Sequence, residues 1–443
     1  MTKKIQYIEK EIIDQYLHDE NKTRPWIVGF SGGKDSTVVL QLIWNALLKI
    51  DSDKRIRDVH VVCNDTLVEN PIIEQYVNEV LLKIQTEATK QGLPIIVHKS
   101  IPVLDETFWI KLIGLGYPTP NNLFRWCTER LKIDPTSNYI KSMIKERQEA
   151  IVVLGTRISE SANRAKSIKK HEIKGNRLSE HSTLKNAFVY MPIKSLVVEE
   201  IWGYINTVQS PWGADNKTLF NIYAEASSDD YECPTIVTNK NSPSCGQSRF
   251  GCWVCTVVKE DKSTTALIEN GYKWLQPLLD IRNSLVEERN KPKNREDYRR
   301  NGQYLPGKGP YKMKYRTKVL EQVLKAQKEV QKQHPHIELI SHQELVAIQV
   351  IWYRDEKYYK TKVSEIYNKI FKKKLNMKNI DEKIKQEKEL LKKSVEKAPE
   401  NFELIEDLLK IQKTKDLMVK KVGLKSSLET RIEEFIKENQ NAA

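Results

Sequence analysis

Twelve consecutive residues, Trp26-Ile27-Val28-Gly29-Phe30-Ser31-Gly32-Gly33-Lys34-Asp35-Ser36-Thr37, predict a buried strand, a turn of small residues and the start of a helix. The apolar residues favour a strand that ends near Gly29. Small residues after it let backbone N–H groups approach an anion closely, and the positive end of the helix dipole adds to that field. A lysine in the turn supplies a mobile positive charge. The predicted nucleotide-binding residues of this loop are Ser31, Gly32, Gly33, Lys34, Asp35 and Ser36.

The loop differs at two positions from the phosphate loop of kinase-type nucleotide-binding proteins. That motif requires a glycine five residues before Gly33, and Ser or Thr directly after the lysine. This chain has Val28 and Asp35 at those positions. The loop therefore indicates a different kind of nucleotide site, and the alternative is a glycine turn that merely precedes a helix.

Composition points to a folded protein with a polyanionic partner. The chain has 443 residues, 39% of them hydrophobic, and a formal net charge of +14. That hydrophobic content is sufficient for packed cores, and the length allows about three domains. Because no apolar run approaches the roughly 18 residues of a membrane span and no signal sequence precedes the first helix, we expect a cytoplasmic protein with no membrane partner. The positive charge favours nucleic acid, with a lysine-rich solvated surface as the alternative.

Short apolar segments alternate with amphipathic helical patterns between residues 21 and 210. Strands separated by helices imply right-handed crossovers, so we expect a doubly wound parallel α/β sheet with ligand-binding groups at its C-terminal edge. A helix precedes this domain over residues 1–20, a cysteine-rich insertion follows over 211–325, and a basic helical extension covers 326–443. The predicted strands are Trp26–Phe30, Asp58–Cys63, Leu93–His98, Ala150–Leu154 and Phe188–Tyr190.

Two further segments carry candidate functional residues. Asp65 comes just after the second predicted strand, where its carboxylate would order a nucleotide or its Mg²⁺ or, alternatively, cap a helix. Cys127 lies at a predicted helix start between Arg125 and Arg130, and helix N-termini and cations lower the pKa of a thiol. Cys127 is therefore a candidate nucleophile, sulfur carrier or metal ligand, with a buried inert cysteine as the alternative.

A third segment follows the fourth predicted strand and begins at Gly155. Arg157 and Arg164 are candidates to hold phosphates through their guanidinium groups. Glu160 is a candidate to orient one of these arginines.

The six cysteines suit metal binding or chemistry better than disulfides in a cytosolic chain. Cys252 and Cys255 form a Cys-x2-Cys pair, and Cys245 and Cys233 precede Cys252 by seven and 19 residues. Four thiolates suit either tetrahedral zinc or a four-iron cluster. A set with Cys127 in place of Cys233 stays open.

The motifs together resemble a known family. The loop, the Asp65–Pro71 segment, the Arg125–Lys132 segment and the Gly155–Arg164 segment occur in the order typical of the PAPS (phosphoadenosine phosphosulfate) reductase-like branch of the adenine nucleotide α-hydrolase superfamily, over about residues 20–210. Farther along, Cys233-Pro234, the stretch 244–258 and the stretch 307–316 resemble the DndC family of bacterial DNA phosphorothioation systems.

The resemblance implies an ATP pyrophosphatase and sulfurtransferase that adenylates a DNA backbone phosphate, releases pyrophosphate and then introduces sulfur. It implies ATP, Mg²⁺ and an iron–sulfur cluster of the 4Fe-4S type as cofactors. It also implies DNA, a cysteine desulfurase as sulfur donor and other phosphorothioation proteins, including an ATPase subunit, as partners. The implied site residues are Cys127, Lys34, Asp35, Arg157, Glu160 and Arg164 for catalysis, Ser31, Gly32, Gly33, Lys34, Asp35, Ser36, Asp65 and Gly155 for the nucleotide, and Cys233, Cys245, Cys252 and Cys255 for the metal.

Two other functions stay open. A reductase of adenylylated sulfate would use the cluster and Cys127 for redox chemistry on a small molecule, although the basic charge and the C-terminal extension argue against it. A non-catalytic nucleic-acid-binding subunit would only sense the nucleotide, although the intact Lys34 and Asp35 argue against that.

Overall fold

The computed structural model describes residues 2–21, 23–173, 175–226, 251–299, 302–354 and 362–375, with shorter pieces at 389–394, 399–405, 408 and 432. The chain divides into two compact units. Unit 1 comprises Met1–Pro102 and Arg125–Leu279, and unit 2 comprises Val103–Phe124 and Asp280–Ala443. The four-part division expected from the sequence stays a prediction.

In the described part of unit 1, six strands form one sheet in the order β3-β2-β1-β4-β6-β5. Neighbouring strands are parallel except for β5, which is antiparallel to β6. The strands are β1 (Trp26–Gly29), β2 (Val59–Asn64), β3 (Ile95–Ser100), β4 (Ala150–Val153), β5 (Leu178–Glu180) and β6 (Ala187–Tyr190).

Helices lie on both faces of this sheet in unit 1 and make up much of the described part of unit 2. Two short segments, Ile110–Gly114 and Thr128–Ile133, are π-helical. Within the described residues no helix combines the length and the apolar character that a bilayer crossing requires. The α-helices are α1 (Thr2–Leu17), α2 (Lys34–Leu48), α3 (Pro71–Lys90), α4 (Asp134–Arg147), α5 (Ala162–His171), α6 (Val198–Thr207), α7 (Asn216–Glu225), α8 (Lys262–Glu269), α9 (Gln276–Glu288), α10 (Met313–Val330), α11 (His342–Arg354) and α12 (Val363–Phe371).

Strand β1 is buried on both of its faces, which explains its continuous apolar sequence. Trp26 and Val28 belong to a large core that includes residues of α1, α2, α3, α6 and α7. Ile27 belongs to a smaller core on the other face, together with Ile140 of α4. The sheet therefore has helices on both faces, and the predicted doubly wound α/β fold is confirmed.

The five predicted strands are all present, but the sequence reading missed β5. This strand has three residues, pairs only with β6 and has an exposed end at Glu180. A short strand at the edge of a sheet lacks the apolar run by which β1, β2 and β4 are recognised.

Residues 103–124 belong to unit 2 because their backbone and side chains pack among its helices. The carbonyl of Ile113, in the first π-helical segment, accepts hydrogen bonds from Arg316 Nε (2.7 Å) and Trp352 Nε1 (3.0 Å). Trp109 Nε1 donates to the carbonyl of Leu339 (2.6 Å). A π-helix leaves carbonyl groups without their usual helical partner, and here α10 and α11 supply one.

Candidate functional site

The loop between β1 and α2 has the geometry of an anion-binding turn. Gly32 has φ = +73°, and a Cβ at this position would overlap Val77 Cγ2. Ser36 Oγ donates to the carbonyl of Gly33 (3.0 Å) and accepts from the N–H of Ser31 (3.2 Å). These bonds wrap the loop around the N-terminus of α2, where N–H donors and positive potential favour a phosphate group.

Lys34 is held at the start of α2 by a tyrosine from a distant helix. Its Nζ lies 3.4 Å from Asp35 Oδ2 and 5.3 Å from the centre of the Tyr223 ring. The backbone N–H of Lys34 also donates to the Tyr223 hydroxyl (3.4 Å). Tyr223 of α7 thus contacts both the backbone and the charge of the predicted phosphate-binding lysine.

Arg157 contacts Asp35, and its expected role in holding a phosphate stays a prediction. Arg157 is 2% exposed, and its Nε donates to Asp35 Oδ1 (2.5 Å) while Nη1 donates to Ser159 Oγ (3.1 Å). A buried guanidinium needs a carboxylate partner, and Asp35 provides it. Arg157 is therefore placed to orient Asp35 beside Lys34.

Gly155 packs directly against the start of α2. A Cβ on Gly155 would lie 3.0 Å from the carbonyl carbon of Asp35 and 3.1 Å from the nitrogen of Ser36. The segment after β4 can approach the phosphate loop this closely only because residue 155 has no side chain. Gly155 supports the loop through backbone packing.

Asp65 lies at the same edge of the sheet, with both carboxylate oxygens engaged. Oδ2 lies 2.6 Å from Lys99 Nζ, and Oδ1 accepts from the N–H of Leu67 (2.8 Å). The alternative role as a helix cap belongs to another residue, because Asn70 accepts from the N–H of Ile72 and caps α3.

Glu160 and Arg164 lie at the mouth of the same site. Glu160 borders the cavity described below, and Arg164 Nε lies 3.5 Å from Glu160 Oε2. The sequence predicted that Glu160 orients one of the two arginines, and in the structure Glu160 pairs with Arg164.

Three cysteines gather beside the turn that follows β2. The N–H of Trp253 donates to the carbonyl of Val68 (3.0 Å), so the Cys-x2-Cys segment pairs with this turn. Cys252 Sγ lies 3.2 Å from Thr66 Oγ1 and 3.8 Å from Glu69 Oε1. The N–H of Cys255 donates to the carbonyl of Cys252 (3.0 Å), which closes the turn between the two thiols.

Cys127 is at the start of a helical segment, as expected, and is close enough to Cys255 for the two thiols to interact electrostatically. Burial raises the pKa of the Cys127 thiol, and the negative potential of Cys255 raises it further, while hydrogen bonds from Thr128 oppose the shift. The expectation of a lowered pKa is therefore wrong, because desolvation outweighs the helix terminus and the nearby cations. Burial likewise raises the pKa of Cys252 to about 12.

Lys132 is the cation that links the thiols to the rest of the site. Its Nζ lies 3.8 Å from Glu69 Oε1, and the negative potential of Cys252 raises its pKa, with Glu69 adding to the effect. Lys132 thus favours negative charge on the sulfur atoms around it.

The described thiols have the donor chemistry of an iron–sulfur or zinc site but do not by themselves complete one. Cys252 and Cys255 share a tight turn and Cys127 is near Cys255, which suits thiolate ligands. Among the described residues, no three His, Cys, Asp or Glu side chains converge to hold a metal ion. Cys233 and Cys245, the other two predicted ligands, lie outside the described residues.

A cavity of about 470 Å³ lies beside the loop in unit 1. Such a volume is typical of small-ligand sites. Its walls include the whole loop from Gly29 to Ser36, the carboxyl end of β2 with Asp65, and Glu160 and Tyr223. Glu69 and Lys132, which border the thiols, also line it. The predicted phosphate loop and two residues that border the thiols, Glu69 and Lys132, therefore line the same cavity.

Comparison with known proteins gives the family. Residues 25–258, more than half of the chain, match the phosphoadenosine phosphosulfate reductase domain. The chain belongs to this family. The match covers the predicted phosphate loop, Cys127 and the Cys252–Cys255 pair.

Individual relatives are distant. This chain is 28% identical over 193 residues to the uncharacterized protein MJ0066 of Methanocaldococcus jannaschii. The alignment covers 44% of this chain and 34% of that protein. The chain thus spans about a third of the length of this curated relative. Among solved structures, PAPS reductase from Candida auris in a phosphate complex matches 51% of this chain and 94% of its own, with 15% identity and a TM-score of 0.29. Candida glabrata FMN adenylyltransferase with FAD and inorganic pyrophosphate matches 60% and 74%, with 14% identity and a TM-score of 0.30. At such scores neither structure carries a functional argument.

Sequence reasoning missed three side chains of the site in this family member. Glu69 belongs to the Asp65–Pro71 segment, and its position four residues after Asp65 could have indicated a second carboxylate in the site. Lys99 is the penultimate residue of β3, whose carboxyl end shares the edge of the sheet with those of β1 and β2. Tyr223 gave no signal, because only the packing of α7 brings it to Lys34.

Proposed function

We propose that the protein is an ATP pyrophosphatase and sulfurtransferase that incorporates sulfur into the DNA backbone. The observation that carries this proposal is the single cavity whose walls include the phosphate loop together with Glu69 and Lys132 beside the thiols. A site of this composition can bring an activated phosphate and a sulfur nucleophile together. The net charge of +14 and the resemblance of the Cys233–Val258 segment to DNA phosphorothioation proteins support DNA as the substrate.

In the first step a non-bridging oxygen of a DNA phosphate attacks the α-phosphorus of ATP and pyrophosphate leaves. The loop N–H groups and Lys34 stabilise the negative charge that moves onto the leaving pyrophosphate. Asp35, oriented by Arg157, holds the Lys34 ammonium near the loop. The oxygen of the DNA phosphate is now part of an AMP leaving group.

In the second step sulfur replaces that oxygen. The terminal sulfur of a Cys127 persulfide, charged by a cysteine desulfurase, attacks the DNA phosphorus, and AMP departs with the former DNA oxygen. The thiolate of an external reductant attacks the Cys127 sulfur, breaks its bond to the transferred sulfur, forms a mixed disulfide with Cys127 and releases the phosphorothioate. The resulting disulfide is reduced by an external thiol. Lys132 stabilises the sulfur anions.

An iron–sulfur cluster is part of the proposal as a cofactor held by cysteines. Cys252 and Cys255 would supply two thiolates, with Cys233 and Cys245, or Cys127, completing the set. When bound, such a cluster supplies redox or sulfur-binding chemistry. Mg²⁺ would accompany the ATP phosphates beside the carboxylates that line the cavity.

The reaction is tested with ATP, duplex DNA, a cysteine desulfurase and cysteine. We expect pyrophosphate release and, after digestion of the DNA, phosphorothioate dinucleotides detected by mass spectrometry. Lys34→Met, which keeps the length of the side chain without its charge, should lower the rate of pyrophosphate release by about 10²–10³. Lys49→Met, at the other end of α2 and 59% exposed, is the matched control and should leave it unchanged. Conversion of adenylylated sulfate to sulfite with no DNA product would instead establish the reductase.

The role of Cys127 is tested by Cys127→Ser, which retains the size of the side chain. A sulfur carrier predicts a variant that binds iron and releases pyrophosphate as before but forms no phosphorothioate. Loss of iron would identify Cys127 as a ligand instead. Full DNA modification by the variant would exclude both roles.

A further inference from the structure

Helix α5 is a strongly basic element of unit 1. Its sequence, Ala162 to His171, contains Arg164, Lys166, Lys169 and Lys170 and no acidic residue. This absence of acidic residues is not typical of the chain, which has 73 Lys and Arg residues and 59 Asp and Glu residues in total. Acidic residues balance most of the positive charge in the chain as a whole, but none does so within this helix.

The three lysines of α5 share its outer face. Lys166, Lys169 and Lys170 are spaced at i, i+3 and i+4, so they are neighbours on one side of the helix. All three are exposed, while Ile168 on the opposite side is 6% exposed and anchors the helix. In the part of the chain that the structure describes, no carboxylate lies within ion-pair distance of these three ammonium groups. Their charge is therefore directed to solvent.

Helix α5 follows directly after a residue that lines the cavity of the proposed active site. Glu160 lines the cavity, and Ser161 directly after it caps α5 by accepting from the N–H of Arg164 (3.2 Å). Arg164 in turn pairs with Glu160. The three lysines span four residue steps, about 6 Å of helix, a distance along which duplex DNA carries roughly three to four phosphate charges.

We propose that the outer face of α5, formed by Lys166, Lys169 and Lys170, binds the phosphate backbone of duplex DNA and presents an adjacent phosphate to the cavity. This inference rests on the proposed function and names the surface through which its substrate docks. DNA is favoured because the face has dense positive charge and no large apolar side chain, whereas an interfacial membrane helix requires an apolar face. Flexible lysines suit the sequence-independent part of DNA binding.

The test uses the full-length protein and a labelled duplex, with affinity measured by fluorescence anisotropy over a series of salt concentrations. The variant Lys166→Gln/Lys169→Gln/Lys170→Gln removes three charges and keeps good helix formers. Three lost phosphate contacts, at ~0.9 each, should reduce the slope of log K against log[salt] by about 2.7. Between about 50 and 200 mM salt, wild-type affinity should therefore fall roughly 40-fold more than that of the variant.

The matched control removes three other exposed lysines of unit 1, with Lys83→Gln/Lys141→Gln/Lys145→Gln on α3 and α4. It has the same net charge, so a general charge effect would move both variants equally. Equal slopes for the two variants would overturn the α5 proposal. ATP binding in the absence of DNA should be unchanged in both variants, and phosphorothioate formation by the wild-type protein separates this outcome from a failure of the proposed function. A wild-type protein that cleaves ATP but binds no duplex would overturn both, and preference for an RNA duplex of the same sequence would reassign the face to RNA.

Discussion

Replacing Gly32 with alanine tests whether the phosphate loop is shaped by its contact with α3. Gly32 and Gly92 both belong to unit 1 and both have left-handed backbone, with φ of +73° and +61°. They differ in their surroundings. A Cβ at residue 32 would overlap Val77 Cγ2, whereas nothing lies within 4 Å of a Cβ at residue 92. Gly92→Ala is therefore a matched control that isolates the backbone contribution.

The expected magnitudes follow from these two terms. Left-handed backbone costs an alanine about 1–2 kcal/mol, and the reduced entropy of the unfolded chain offsets about 0.4–1 kcal/mol of that. Gly92→Ala should therefore lower the free energy of unfolding by about 1 kcal/mol. Gly32→Ala adds overpacking of about 1–3 kcal/mol, because Val77 is buried and β-branched and so cannot rotate away freely. Its total should be about 2–4 kcal/mol.

Urea unfolding followed by tryptophan fluorescence measures these losses, and pyrophosphate release reports the state of the loop. Removing Val77 Cγ2 with Val77→Ala in the Gly32→Ala background should recover the overpacking term, so a double-mutant cycle should give a coupling of about 1–3 kcal/mol. ATP cleavage should fall in Gly32→Ala and not in Gly92→Ala. Equal destabilisation by the two glycine variants, or no coupling with Val77, would refute the reasoning.

Two other predictions concern buried charge and pH. Arg157→Met should lower the free energy of unfolding by about 2–4 kcal/mol, because it leaves the Asp35 carboxylate without its guanidinium partner. The Asp35 side chain is only 22% exposed, so water replaces that partner incompletely. Adding Asp35→Asn should recover part of the loss in the same urea assay. Burial lowers the pKa of His60, whose Nδ1 lies 2.9 Å from the Tyr139 hydroxyl, so below about pH 6.5 the unfolded chain binds a proton that the folded one resists. Stability should therefore fall as the pH drops through about 6.5, and His60→Gln should reduce that fall; an unchanged pH profile would exclude His60 as its source.

The strands were predictable in their order along the chain because a buried strand has a run of apolar residues. β1 is apolar at every position since both of its faces are covered, and small residues follow it since only they permit the turn at Gly32. The edge strand β5 has no such run of apolar residues. The assignment of residues 103–124 to unit 2 was likewise invisible, because it depends on hydrogen bonds to Arg316 and Trp352, more than 200 residues away.

For the site, the sequence by itself determined the tight turn of the predicted phosphate loop and the types of residue near it, because a motif of neighbouring residues acts through its own backbone. Tertiary structure alone decided which side chains meet. It turned Arg157 toward Asp35, brought Tyr223 to Lys34 and Cys252 to Glu69, and buried Cys127 enough to raise its pKa. Charge partners and desolvation depend on three-dimensional neighbours, and so the direction of a pKa shift at Cys127 could not be read from Arg125 and Arg130 alone.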